Sequence, residues 1–131
     1  MQFPQLENIK SHHPSLSASI DALANYVRSE VDDGRNRIVP ALAATYVKRS
    51  EAQTIALLML FEDAGLLKHR FDVVCTRNDA VLLSLPDLAE LHNHLPLRCE
   101  LCDEEHGPDD LRIELVFEVV PAQVSTEHAV A

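Results

Sequence analysis

A chain of 131 residues with 47% hydrophobic content can bury a core as one domain, or as a small domain with an appended module. Its formal charge of −10 is segregated: residues 1–70 carry eight Lys or Arg against eight Asp or Glu, and residues 71–131 carry three against thirteen. Nucleic acid and anionic membrane reward cationic surface, so the acidic part disfavours both and points to a protein partner with a basic surface. No signal-type leader follows Met1, and the longest apolar run, Ile55 to Phe61, is too short to cross a bilayer, so a cytoplasmic protein without a membrane anchor is expected.

Residues 1–14 are polar, lack a sustained apolar period and read as a flexible arm. From Ser15 to about Asp33, apolar residues recur at Leu16, Ile20, Leu23, Val27 and Val31, the three-and-four spacing of a helix with one buried stripe, which Gly34 then stops. Pro40 suits the first turn of a short second helix that runs to about Val47. Ser50 and Gln53 form a capping box that opens a third helix, closed at Gly65. Beyond it the period becomes two. Phe71, Val73 and Cys75 alternate with Asp72 and Val74 as a strand, residues 76–79 turn the chain, and Ala80 to Ser84 returns it. A short helix is predicted from Asp87 to about His92, and a strand from Leu97 to Leu101. The last strand spans Leu111 to Val120, with Leu111, Ile113, Leu115, Phe117 and Val119 on one face, before a flexible tail at 121–131.

Three segments carry a resemblance: Val39-Pro-Ala-Leu-Ala-Ala, Ser50-Glu-Ala-Gln, and Leu58-Met-Leu-Phe-Glu-Asp-Ala-Gly-Leu-Leu67. Together with three helices followed by a hairpin, they resemble the winged helix-turn-helix superfamily over roughly residues 15–84. The stretches Phe71 to Cys75, Leu82 to Leu91 and Arg98-Cys-Glu-Leu-Cys102 are similar to zinc-ribbon-like modules that follow winged helices in bacterial proteins. The resemblance implies an α+β chain: a winged-helix domain at 15–75, then a small, acidic, β-rich module at 76–120. Such modules hold one zinc with two Cys pairs. Here the first pair is broken, because Asn78 stands where the partner of Cys75 would be.

Cys99 and Cys102, two residues apart, have the spacing with which a turn points two thiolates at one ion, and soft sulfur suits zinc. Cys75 makes a third ligand, and His106 is the best placed fourth, ahead of His92, His94 and Asp79. The alternative is a ribbon without metal in which Cys75 is a small core residue. A thiol redox role meets opposition from Glu100, Asp103, Glu104 and Glu105, whose charge works against a thiolate. The triplet His92-Asn93-His94 has no nuclease-like dispersal, and the acids at 103–105 and 109–110 read as a solvated turn. With no phosphate-cradling Gly-rich loop and no nucleophile elbow, nothing supports an enzyme.

The third helix carries no Lys or Arg and three acids, Glu51, Glu62 and Asp63, with apolar residues nearly all round. Only Gln53 and Thr54, at its start, suit base-edge readout. The expected function is therefore a non-catalytic adaptor working by protein–protein contact, with the single stripe of the first helix available to a second copy as a homodimer. The runner-up is a DNA-binding transcriptional regulator using Arg35, Arg37, Lys48, Arg49, Gln53, Lys68 and Arg70.

Overall fold

A computed structural model of the chain describes residues 3–121. It is mixed α and β, with α-helices at Gln5–His12 (α1), Ser17–Asp32 (α2), Pro40–Val47 (α3) and Glu51–Asp63 (α4). The strands are Arg37–Ile38 (β1), Leu67–Cys75 (β2), Val81–Leu85 (β3), Leu97–Cys99 (β4), Glu104–His106 (β5) and Leu111–Val119 (β6). One sheet has the order β1-β6-β2-β3, and β4 pairs with β5 in a second, two-stranded sheet. Two compact units divide the chain: Met1–Lys68 with Phe117–Ala131, and His69–Val116. The second unit is thus inserted in the sequence of the first, with its boundaries inside β2 and β6 rather than after Cys75. No helix among the described residues is long and apolar enough to cross a membrane.

In the first unit, Ile20, Leu23 and Val27 of α2 are buried as their spacing requires, together with Ala43 and Ala44 of α3 and Leu57, Leu58 and Phe61 of α4. Each helix ends for a local reason. Gly34 and Gly65 take positive φ after α2 and α4, and Lys48 does so after α3, its N–H returning 2.9 Å to the Ala44 carbonyl. At the start of α4 the Ser50 hydroxyl accepts from Gln53 N and the Gln53 side chain accepts from Ser50 N, each at 3.1 Å.

The first unit also departs from expectation. The segment read as an arm contains α1, held by buried Phe3 and Leu6, with the Arg28 guanidinium 5.1 Å from the Phe3 ring centre and Lys10 paired with Glu7 and Asp21. One buried residue, Leu6, in a short polar helix, with Phe3 just before it, is too little to produce a readable period. Strand β1 is two residues long and equally silent in sequence, but it sets Ile38 opposite Phe117, both fully buried. The tail expected at 121–131 lies, apart from Pro121, outside the described residues.

In the second unit β2 runs antiparallel to β3, Phe71 opposite Leu85 and Val73 opposite Leu83, with a register shift between Val73 and Val74. The predicted alternation in β2 fails, because Asp72, Val73, Val74 and Cys75 are all buried. In the sheet order β2 has a strand on each side, and successive residues, which point to opposite faces, are both buried at its end. Alternation in β6 holds only near its end: Phe117 and Val119 are buried, but so is Val116, while Ile113 is 38% exposed. The helix expected at 87–92 is a 3-10 helix at Leu88–His94, capped by the Asp87 carboxylate accepting from Ala89 N. The strand expected at 97–101 stops at Cys99, and the acids read as a solvated turn include β5.

Candidate metal centre

Two turns of the second unit are built alike. In the first, running from Cys75 to Asp79, the Asp79 N–H donates to the Cys75 carbonyl at 2.9 Å and Asp79 has φ +60°. In the second, from Cys99 to Asp103, the Asp103 N–H donates to the Cys99 carbonyl at 2.8 Å and Asp103 has φ +57°. Aspartate tolerates this left-handed conformation better than most side chains, which suits it to close such a turn. Each turn begins on a cysteine at a strand end. Its fourth residue is Asn78 in one and Cys102 in the other.

The β4–β5 pairing supplies the rest. Leu97 lies opposite His106 and Cys99 opposite Glu104, so Cys99 and His106 share one face of the hairpin. The ligand atoms of Cys75, Cys99, Cys102 and His106 all lie within 4.8 Å of one another. Cys75 Sγ is 3.5 Å from Cys102 Sγ and 3.5 Å from His106 Nε2. A tetrahedral zinc site with metal–sulfur bonds of about 2.3 Å and a metal–nitrogen bond of about 2.0 Å has edges of about 3.8 Å between sulfurs and about 3.5 Å between sulfur and nitrogen. The donor set and its spacing therefore fit one such ion. Cys75, Cys99 and His106 are buried and Cys102 is half-buried, and all three cysteines are free thiols.

Enclosing three thiols sets their charges against each other. Asn78 donates its side-chain amide to Cys99 Sγ at 3.3 Å and holds that thiol down at about 6, against the effect of burial. Cys102 is pushed up to about 12, by burial first and then by Cys75 and Cys99. The acidic neighbours expected to oppose thiolates are not the main cause of either shift. A cation among the sulfurs removes the conflict, since it favours all three thiolates together. The His106 Nδ1 atom is buried without a hydrogen-bond partner and lies 3.7 Å from Asp110 Oδ2, the side from which a carboxylate orients a metal-bound imidazole. At the rim Arg77 pairs with Glu104, Arg98 with Asp103, and Arg112 with Asp79 at 3.0 Å.

No family model, no characterised protein and no solved structure matches this chain.

The other sequence-predicted residues lie elsewhere. Among the alternative fourth ligands, Asp79 is paired with Arg112, His92 Nδ1 contacts the Ala89 carbonyl at 2.7 Å, and His94 ends the same 3-10 helix. Of the residues considered for DNA, Arg35 is tied to Glu30 and Asp33, and Arg70 donates to the Ser84 hydroxyl and carbonyl at 3.1 and 2.8 Å. Gln53 caps α4, Arg37 is exposed on β1, Lys68 is exposed on β2, and Lys48 and Arg49 are exposed in the turn before α4. The sequence alone marks Asn78 only as a missing ligand and Asp110 only as part of a solvated turn. The repeated pattern of Cys, two residues, Asn or Cys, then Asp was the signal available.

Proposed function

We propose that this chain is a non-catalytic protein–protein adaptor in which a winged-helix-like unit carries an inserted zinc-ribbon-like module. Cys75, Cys99, Cys102 and His106 hold a structural zinc ion. The observation that carries the metal assignment is the four-donor cluster at tetrahedral spacing. Four protein ligands leave no coordination position for water or substrate, which separates a structural site from a catalytic one. The ion bound there supplies cross-linking, joining both turns and β5 through ligands distant in sequence. The succession α2, β1, α3, α4 and β2, with β6 beside both β1 and β2, supports the winged-helix reading.

Protein contact is supported by surface chemistry. The exposed positions of α4 include Ala52, Ala56 and Met59 beside Glu51 and Asp63, without a cation on the helix. Leu42 and Tyr46 of α3 are 60% and 51% exposed. Leu101, between Cys99 and Cys102, is 76% exposed among acids. An apolar anchor on an acidic rim fits a partner with a basic surface, met at a salt-sensitive rate. The α2 stripe is consumed by the unit's own core, so a homodimer would be built on Leu42 and Tyr46 instead.

Two measurements on the purified chain test this reading. Elemental analysis should find one equivalent of zinc, and duplex DNA titrated at low and moderate salt should show no salt-sensitive micromolar binding. Such binding, abolished by Lys48→Glu with Arg49→Glu, would replace the adaptor with the DNA-binding regulator.

A further inference from the structure

We infer that Asn78 is a positioning residue of the metal centre: one side-chain amide donates to the sulfurs of Cys99 and Cys102 together and orients both along one edge of the ligand set. The inference rests on the zinc reading above and names what stands in for the missing fourth cysteine.

The geometry is specific. Asn78 Nδ2 lies 3.3 Å from Cys99 Sγ and 3.0 Å from Cys102 Sγ. An amide nitrogen carries two hydrogens, so both contacts are served at once. The orientation of the amide is settled by its other end, since Oδ1 accepts from Ala80 N at 2.9 Å and leaves only the NH₂ to face the sulfurs. Asn78 also occupies, in the Cys75 turn, the position that Cys102 occupies in the Cys99 turn. The backbone of a two-cysteine turn is retained while the ligand is exchanged for a donor, and His106 completes the tetrahedron from β5.

The charge consequence follows. Four thiolates around zinc carry a net charge of −2, whereas three thiolates and a neutral imidazole carry −1. Hydrogen bonds from Asn78 lower the charge density on two of those three sulfurs. In a module already rich in acids, that lessens repulsion at the site.

The test compares the full chain with Asn78→Ala and Asn78→Asp. The second variant keeps the oxygen that Ala80 N donates to and loses the donor to sulfur. Zinc affinity is read by competition with a chromogenic chelator, and cobalt(II) in place of zinc reports on the sulfurs through its sulfur-to-metal charge-transfer band. Both variants should bind zinc about 10- to 100-fold more weakly, the range for outer-shell partners, and should move the cobalt band to longer wavelength. If Asn78→Ala alone weakens binding and Asn78→Asp matches wild type in affinity and spectrum, Asn78 serves only the turn and the inference is overturned. Two silent variants in a protein that takes up one zinc overturn it as well while leaving the site intact. Wild-type protein that takes up no zinc removes the metal reading itself.

Discussion

The two units solve the same problem with different materials. The first is held by close-packed hydrocarbon, with Ile20, Leu23, Ile38, Leu58, Phe61 and Phe117 all fully buried. The second, the 48 residues from His69 to Val116, buries only Asp72, Val73, Val74, Cys75, Leu85, Cys99, His106 and Val116. Three of those eight belong to the thiol–imidazole cluster, so the centre of the smaller unit is a set of candidate metal ligands where that of the larger is hydrophobic. Chains of this size fall near the limit at which a hydrophobic core suffices without disulfides or metal. On the proposed zinc reading, one polypeptide places its two parts under separate control, the first by solvent and temperature, the second by metal supply.

The sharpest way to break this comparison is to deprive the proposed site of zinc. Chelation at neutral pH, or Cys99→Ser, should abolish amide-exchange protection across β4, β5 and the Cys75 turn while the far-ultraviolet signal of α2 to α4 persists. Uniform loss of protection over both units would mean that they do not respond separately.

The reciprocal experiment acts on the hydrophobic unit. Phe61→Ala opens a cavity beneath α4 and should cost about 3–5 kcal/mol of unfolding free energy, read by chemical denaturation followed at the helices. Zinc stoichiometry should stay at one. A variant that loses both helicity and metal would show that the smaller unit depends on the larger.

A rescue sharpens the picture of the ligand set. His106→Ala leaves three thiolates and should weaken zinc binding by more than the roughly 100-fold typical of outer-shell losses. Because Asn78 sits at the Cys102-equivalent place in its turn, Asn78→Cys in that background should restore tight binding with a four-thiolate cobalt spectrum. Failure of the rescue would mean that the two turns are alike in backbone but not in reach.

How much of this the sequence disclosed follows from how local each signal is. Helices α2 to α4 were legible because their causes lie within a turn or two: the stripe of Ile20, Leu23 and Val27, Pro40 at a helix start, the Ser50–Gln53 box, and glycines at the stops. Cys75, Cys99, Cys102 and His106 were nameable together because metal-binding chemistry restricts residue type as well as spacing. What stayed hidden depends on partners distant in the chain. Strand β1 exists because Phe117 and Glu118 lie beside it, β5 because β4 does, and α1 because Phe3 and Leu6 find buried places. The proposed role of Asn78 has only a faint sequence signal, the repeat of Cys, two residues, Asn or Cys, then Asp, because the amide's contact with Cys99 and Cys102 joins turns distant in the chain.

The smallest expected effect concerns the turn between α3 and α4. Lys48 holds φ +61° as the cap of α3, a conformation that costs most L-residues roughly 1 kcal/mol relative to glycine. Ser50, two residues on, returns comparable stability through its cap on Gln53 N. Lys48→Gly should therefore raise the stability of the first unit by about 0.5–1 kcal/mol, while Ser50→Ala should lower it by about 1 kcal/mol, both read from denaturation midpoints at unchanged slope. Neither should alter zinc affinity, because the turn belongs to the hydrocarbon-held unit. Lys48→Gly that instead destabilises would show that the lysine side chain, and not its backbone alone, holds this turn, and would turn attention to what its ammonium meets there.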